Sequence, residues 1–120
     1  TFRNERDVVV NVIQKARGQA INNMCFGAGC TDGKPHGVYF GTAGSYVIFQ
    51  GTDYASRDTA VDEVIEAKSD AAVLSGMTSV VFNRLRADAV TTGGTTLTVS
   101  QQGRDSVITI EPEGRVWWTN

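Results

Sequence analysis

Thr95-Thr96-Leu97-Thr98-Val99-Ser100, then Gln101-Gln102-Gly103-Arg104, Val107-Ile108-Thr109-Ile110, Glu111-Pro112-Glu113-Gly114 and Arg115-Val116-Trp117-Trp118: this run decides the fold. Its first segment alternates strictly, which puts Leu97 and Val99 on one face of a strand. A glycine-bearing turn follows, then a second β-rich segment. Proline second and glycine fourth in Glu111–Gly114 suit a type I turn closed by a glycine bulge. Strands joined by such short turns pair antiparallel with their sequence neighbours, so the C-terminal third reads as a β-meander.

Working toward the N-terminus, Val80-Val81-Phe82 reads as a strand and the run from Arg84 to Gly94 as loop. Val61–Ala67 fits a helical turn or a strand, with strand the preferred reading. Polar residues from Gly51 to Thr59 read as a long connection. Val38-Tyr39-Phe40 and Tyr46-Val47-Ile48-Phe49 are rich in β-formers, and Gly41-Thr42-Ala43-Gly44 reads as the hairpin turn between them. Tyr39, Phe40, Tyr46 and Phe49 then serve as core and cross-strand pairs.

The first two dozen residues change period. Val9, Val12, Ile13, Ala16, Ala20 and Met24 recur at spacings of three and four, which is one face of a helix. Arg6, Gln14, Lys15 and Arg17 fall largely elsewhere. Gly18 is the weak point of that helix, and Asn22 and Asn23 are the expected terminators. The chain of 120 residues therefore reads as one α+β domain: a helix over 1–24 packed on antiparallel sheet in a β-rich body over 36–120.

Thirteen glycines against two prolines agree with many short strands and turns. Eleven Lys and Arg against thirteen Asp and Glu leave no basic surplus of the kind that holds polyphosphate. No run approaches the roughly 18 apolar residues of a membrane helix, and no signal peptide is visible. The chain begins at Thr1 rather than at methionine, which reads as a processed or truncated product.

Cys25 and Cys30 flank Phe26-Gly27-Ala28-Gly29. Their spacing is wrong for a thioredoxin-like pair, and no further Cys or His pair completes a zinc site. The glycines make a tight loop that a disulfide could close, the alternative being two free, partly buried thiols. A bridge implies maturation in an oxidising compartment.

Chemistry is sparse. His36 is the one histidine, beside Pro35 and Gly37, and reads as an exposed turn residue. No Gly-x-Ser-x-Gly elbow occurs. Gly27–Lys34 superficially resembles a phosphate loop, but Ala28 stands where the pattern needs glycine, Pro35 where it needs Ser or Thr, and a helix precedes it. Asp62, Glu63 and Glu66 read as a solvated face. Asp53, Asp58 and Asp62 lack calcium-loop spacing. Neither a cofactor nor a metal nor a small-molecule substrate is expected, and no enzymatic activity. Trp117 and Trp118 point to opposite faces of their strand, one toward the core and the other toward a contact surface.

Three stretches carry a family resemblance. Ala16-Arg17-Gly18-Gln19-Ala20-Ile21 is similar to the Ala-Arg-x-x-Ala-Ile segment in the helix of GspH/FimT-type minor pseudopilins and minor pilins. Val107–Val116, with Gly114-Arg115-Val116, resembles that family's closing hairpin. Gly37–Phe40 followed by Ser45–Phe49 is close to a hairpin seen in some members. The likeness runs from about Val8 onward. The sequence departs from the family's complete pattern in lacking a prepilin leader and the apolar first half of the helix. The family's early assembly glutamate belongs to that part, and Glu5 does not match it. The Cys25–Cys30 insertion is also longer than the expected passage from helix to strand.

The resemblance implies a pilin-like fold and a non-catalytic structural subunit of a type IV pilus or type II secretion filament. A full-length form would sit in the inner membrane through a preceding apolar helix, with this domain in the periplasm or outside the cell. Its partners would be other pilins or pseudopilins. The helix face of Val9, Val12, Ile13, Ala16 and Ala20 would serve packing and filament contact. The alternative is a pilin-like subunit that binds DNA for uptake, which requires converging cations. From Arg84 onward, Arg84, Arg86, Arg104 and Arg115 are matched by Asp88, Asp105, Glu111 and Glu113.

Overall fold

A computed structural model of the chain describes residues 5–41, 44–67, 73–86, 88–101 and 103–119. Among the described residues one α-helix precedes nine strands: α1 (Glu5–Ile21), β1 (His36–Tyr39), β2 (Ser45–Gln50), β3 (Glu63–Glu66), β4 (Val73–Gly76), β5 (Ser79–Phe82), β6 (Ala89–Thr92), β7 (Thr96–Gln101), β8 (Arg104–Ile110) and β9 (Val116–Thr119). The strands form two antiparallel sheets, ordered β3-β2-β1-β5-β6 and β4-β7-β8-β9. The architecture is α+β, with one N-terminal helix packed on antiparallel sheets and a strand-rich C-terminal part.

The helix lies mainly against β1 and reaches β2, β5 and β7. Val9, Ile13, Ala16 and Ala20 are wholly buried, with Val8, Val10 and Val12 close to it. They meet Val38, Phe40, Ile48, Val80 and Phe82 from the first sheet and Leu97, Val99, Ile108 and Ile110 from the second in one apolar cluster. Removing this apolar surface from water, at roughly 25 cal/mol per Å², is the main force holding helix and sheets together.

The helix ends earlier than the apolar spacing implied. Asn23 adopts φ 55°, Met24 N donates to Gln19 O at 3.0 Å, and Asn23 N donates to Ala20 O at 3.1 Å. These bonds make a Schellman cap with asparagine in the left-handed position. The two asparagines thus stop the helix as expected, while Met24 leaves the buried stripe and is 40% exposed.

The meander is as read. Thr96–Gln101 pairs with Arg104–Ile110, which pairs with Val116–Thr119. Gly114 takes φ 95°. Its amide donates to Glu111 O at 2.8 Å, and Glu111 N donates to Arg115 O at 2.9 Å. The β1–β2 pairing and the strand reading of 63–66 and 79–82 also hold. Within the expected turn at 41–44, Thr42 and Ala43 lie outside the described residues.

One strand replaces an expected loop, and another was not anticipated. The run from Arg84 to Gly94 contains β6, an edge strand whose burial alternates from half-buried Ala89 to exposed Val90. Its two threonines and a neighbouring Gly-Gly hid it. β4 had no reading at all, since Val-Leu-Ser-Gly has little β signal beyond its valine.

Gly51–Thr59 is a connection in topology but a built cap in fact. Tyr54 stacks on Tyr39 with ring centroids 3.7 Å apart and meets Phe49 edge-on at 5.6 Å. Arg57 lies 3.8 Å above the Tyr54 ring and pairs with Asp62 at 3.0 Å. With Val47 and Val81 these rings form a second small core on the outer face of the first sheet. Gly37 makes room there: a Cβ at that position would meet Val80 O at 2.3 Å and the Phe49 ring at 2.7 Å.

Candidate functional site

The most structured irregular region is the loop after the helix. Cys25 and Cys30 are joined by a disulfide, with Cα atoms 5.8 Å apart. The bridge closes Phe26–Gly29, where Gly27 and Gly29 take φ 104° and 78°, a conformation costly for other residues. The loop is then clamped to the sheet by Gln50. Its Oε1 accepts from Phe26 N at 2.7 Å and its Nε2 donates to Phe26 O at 3.1 Å, so one side chain imitates a strand partner.

His36 sits beneath this loop. It is 1% exposed, not the exposed turn residue its glycine and proline neighbours implied. Its Nε2 bonds Met24 O at 2.9 Å, and Phe26 meets the ring edge-on at 5.5 Å. Burial holds its pKa below the ordinary value, and the bond to the Met24 carbonyl offsets this in part. Between the loop, the helix end and Val61 lies a cavity of about 210 Å³ lined by Gln19, Phe26, His36, Phe49, Gln50 and Glu63 among others. A shallower groove of about 370 Å³ runs past Phe26, Cys30, Lys34 and Asp58.

The carboxylates considered for chemistry have other work. Asp53 accepts from the Ser56 hydroxyl at 2.6 Å and its amide at 2.7 Å, which hold the carboxyl below its usual range. Asp58 caps the short 3-10 helix at Thr59–Val61 by accepting from Ala60 N. Asp62 binds Arg57, and Glu63 binds Lys15, tying the helix to edge strand β3. Among the described residues no group of three His, Cys, Asp or Glu is placed to hold a metal ion. Likewise, no described helix is long and apolar enough to cross a membrane.

At the helix start, Glu5 is fully buried. It accepts from the Tyr46 hydroxyl at 2.7 Å, and its amide donates to Gln101 Oε1 at 2.9 Å. Tyr46 is pushed well above its usual pKa by burial first, then by the hydrogen bond and charge of Glu5. No sequence pattern announced this network, because its members are 41 and 96 residues from Glu5.

The motif residues fall in two places. Ala16 and Ala20 are wholly buried, Arg17 is half-buried, and Ile21 is 38% exposed. Gly114 forms the β8–β9 turn, Arg115 pairs with Glu111 at 3.5 Å, and Val116 packs against the main core. The outer side of the helix shows Asp7, Asn11, Gln14, Lys15 and Ile21. A Cβ added at half-buried Gly18 would meet no atom of the described residues within 4 Å. Trp117 and Trp118 are 40% and 43% exposed, so neither enters the core as one was expected to. Of the four C-terminal arginines, Arg104 opens β8 while Arg115 follows its far end, and Arg84 and Arg86 lie within the β5–β6 turn.

Comparison of the chain with protein-family profiles, with curated proteins and with solved structures finds no match.

Proposed function

We propose that the chain is a non-catalytic structural subunit, a minor pilin or pseudopilin, of a type IV pilus or type II secretion filament. The observation that carries this reading is the two-sided use of α1. One side is buried across both sheets. The other leaves Asp7, Asn11, Gln14, Gly18 and Ile21, at spacings of four, three, four and three, along a seam on the outside. That spacing is the one a neighbouring helix reads. A glycine in a helix interior costs about 1 kcal/mol against alanine, and none of the described residues crowds Gly18. Close approach of another subunit would account for it.

In this reading the protein works by shape. A preceding apolar helix holds it in the inner membrane until assembly, and the seam then meets the helices of other pilins or pseudopilins. The test is a pair of substitutions, Gly18→Trp and Asn11→Arg, in the membrane-anchored protein within a filament-forming cell. Both positions lie on the seam, so the thermal midpoint of the domain should stay within a few degrees. Incorporation into filaments should fall at least about tenfold, as for a central contact at an interface. Full incorporation of both variants would remove the reading.

A further inference from the structure

We infer that β9 is a self-pairing edge: two copies of this chain join antiparallel along Val116–Thr119, converting two four-stranded sheets into one continuous sheet. The inference does not depend on the filament reading.

An edge strand offers unpaired backbone donors and acceptors, and proteins normally blunt such an edge with charge, proline, bulges or a covering segment. Three of the four described edges have such a device. β3 carries Glu63 and Glu66 and is bridged to the helix by Lys15. β4 ends at Gly76 with φ 102°, which breaks the extended run. β6 is met at its start by the Glu111–Gly114 turn, where Ala89 N donates to Pro112 O at 2.9 Å. Among the described residues β9 has none: Val-Trp-Trp-Thr is uncharged, lacks proline, and shows two large aromatic side chains.

Symmetry selects a second copy as the occupant. In a two-fold antiparallel pair with the axis normal to the sheet, opposed residues must lie on the same face. Trp118 is opposite Ile108, on the core-facing side, and Trp117 is opposite Thr109, on the outer side. Only registers in phase with the pleat are allowed. The two centred on this strand place Trp117 opposite its own copy, with Val116 facing Trp118, or Trp118 opposite its own copy, with Trp117 facing Thr119. Each puts an aromatic pair on the axis, where cross-strand aromatic contacts are favourable. In both, every opposed pair within the strand is free of like charges. The same pairing at β3 would set Glu63 against Ile65 and Asp62 against Glu66 in one register, and Glu66 against Val64 in the other, so a carboxylate enters both.

A four-residue edge makes a small contact, so the dimer should be reversible, with a dissociation constant on the order of 100 µM. Sedimentation equilibrium from about 10 µM to about 1 mM measures it. The weight-average mass should climb from 12.9 kDa toward twice that value. Trp117→Lys/Trp118→Lys should weaken association at least about tenfold. Thr119→Lys keeps both tryptophans and guards against a folding artefact in the double variant. It sets a charge against Arg115 of the other copy in one register and against Trp117 in the other, and should weaken association similarly. A protein monomeric at about 1 mM overturns the inference. So does association that survives unchanged in both variants.

Discussion

The two sheets are made of the same kinds of residue but assembled differently. In the second, β7, β8 and β9 follow one another in the chain and pair in that order. In the first, β1 lies between β2 and β5, so Gly37 faces Phe49 on one side and Val81 on the other, the latter 44 positions away. The first sheet also carries the helix on one face and the 51–58 cap on the other. Local pairing leaves its signature in adjacent residues, whereas non-local pairing is specified by burial that only the folded chain reveals. Loop closure makes the second kind more costly to form, and the first sheet offsets this by burying both its faces.

Phe82→Ala should separate the sheets most sharply. The ring is wholly buried where β5 meets the helix, and its loss should cost about 3–5 kcal/mol in urea unfolding. Thr98→Ala, on the half-buried outer side of the meander, should cost under about 0.5 kcal/mol. Similar losses for both would erase the contrast. Next comes the disulfide: Cys25→Ser/Cys30→Ser frees a six-residue loop, worth about 2 kcal/mol by loop entropy. The Phe26–Gln50 clamp should keep the fold, so near-ultraviolet circular dichroism should change little.

Gly114→Ala tests the local sheet. With φ 95° at the β8–β9 turn, alanine should cost about 1 kcal/mol, lost as faster unfolding of the C-terminal hairpin in amide exchange.

The smallest effect is a pH dependence in the first sheet. Burial keeps His36 neutral when folded, so below its unfolded pKa near 6.5 the unfolded chain takes up the proton first. Stability is therefore full above that pH and declines as pH falls through it. Thermal midpoints at pH 7.5 and about 5.5 should differ for wild type, and His36→Gln should flatten that part of the slope. An unchanged slope would leave the carboxylates responsible.

What was legible follows the same division. The helix stripe, the asparagine stop and the closing Glu-Pro-Glu-Gly turn are local patterns, and each reads directly from neighbours. β6 was hidden because the alternation of Ala-Val-Thr-Thr puts only small or polar side chains on its half-buried face, beside a Gly-Gly that reads as loop. His36 was misread because a histidine between proline and glycine looks like a turn residue, while its burial depends on Phe26 arching back over it. Tyr54 and Arg57 sat in a polar stretch, with nothing nearby to mark them as a lid over Phe49. For the candidate surfaces, the helix spacing predicted which side would be buried, but the outer seam through Gly18 becomes visible only once the sheets have taken the other side.

The most direct measurement of the central claim is a photo-crosslinker at Gln14, on the seam, in the membrane-anchored protein within filament-forming cells. A second probe at Thr98, on the outer face of the meander, serves as the comparison. The account predicts that Gln14 captures the helix of another filament subunit while Thr98 does so weakly or not at all. Capture at Thr98 with none at Gln14, or no filament subunit at either position, would contradict it.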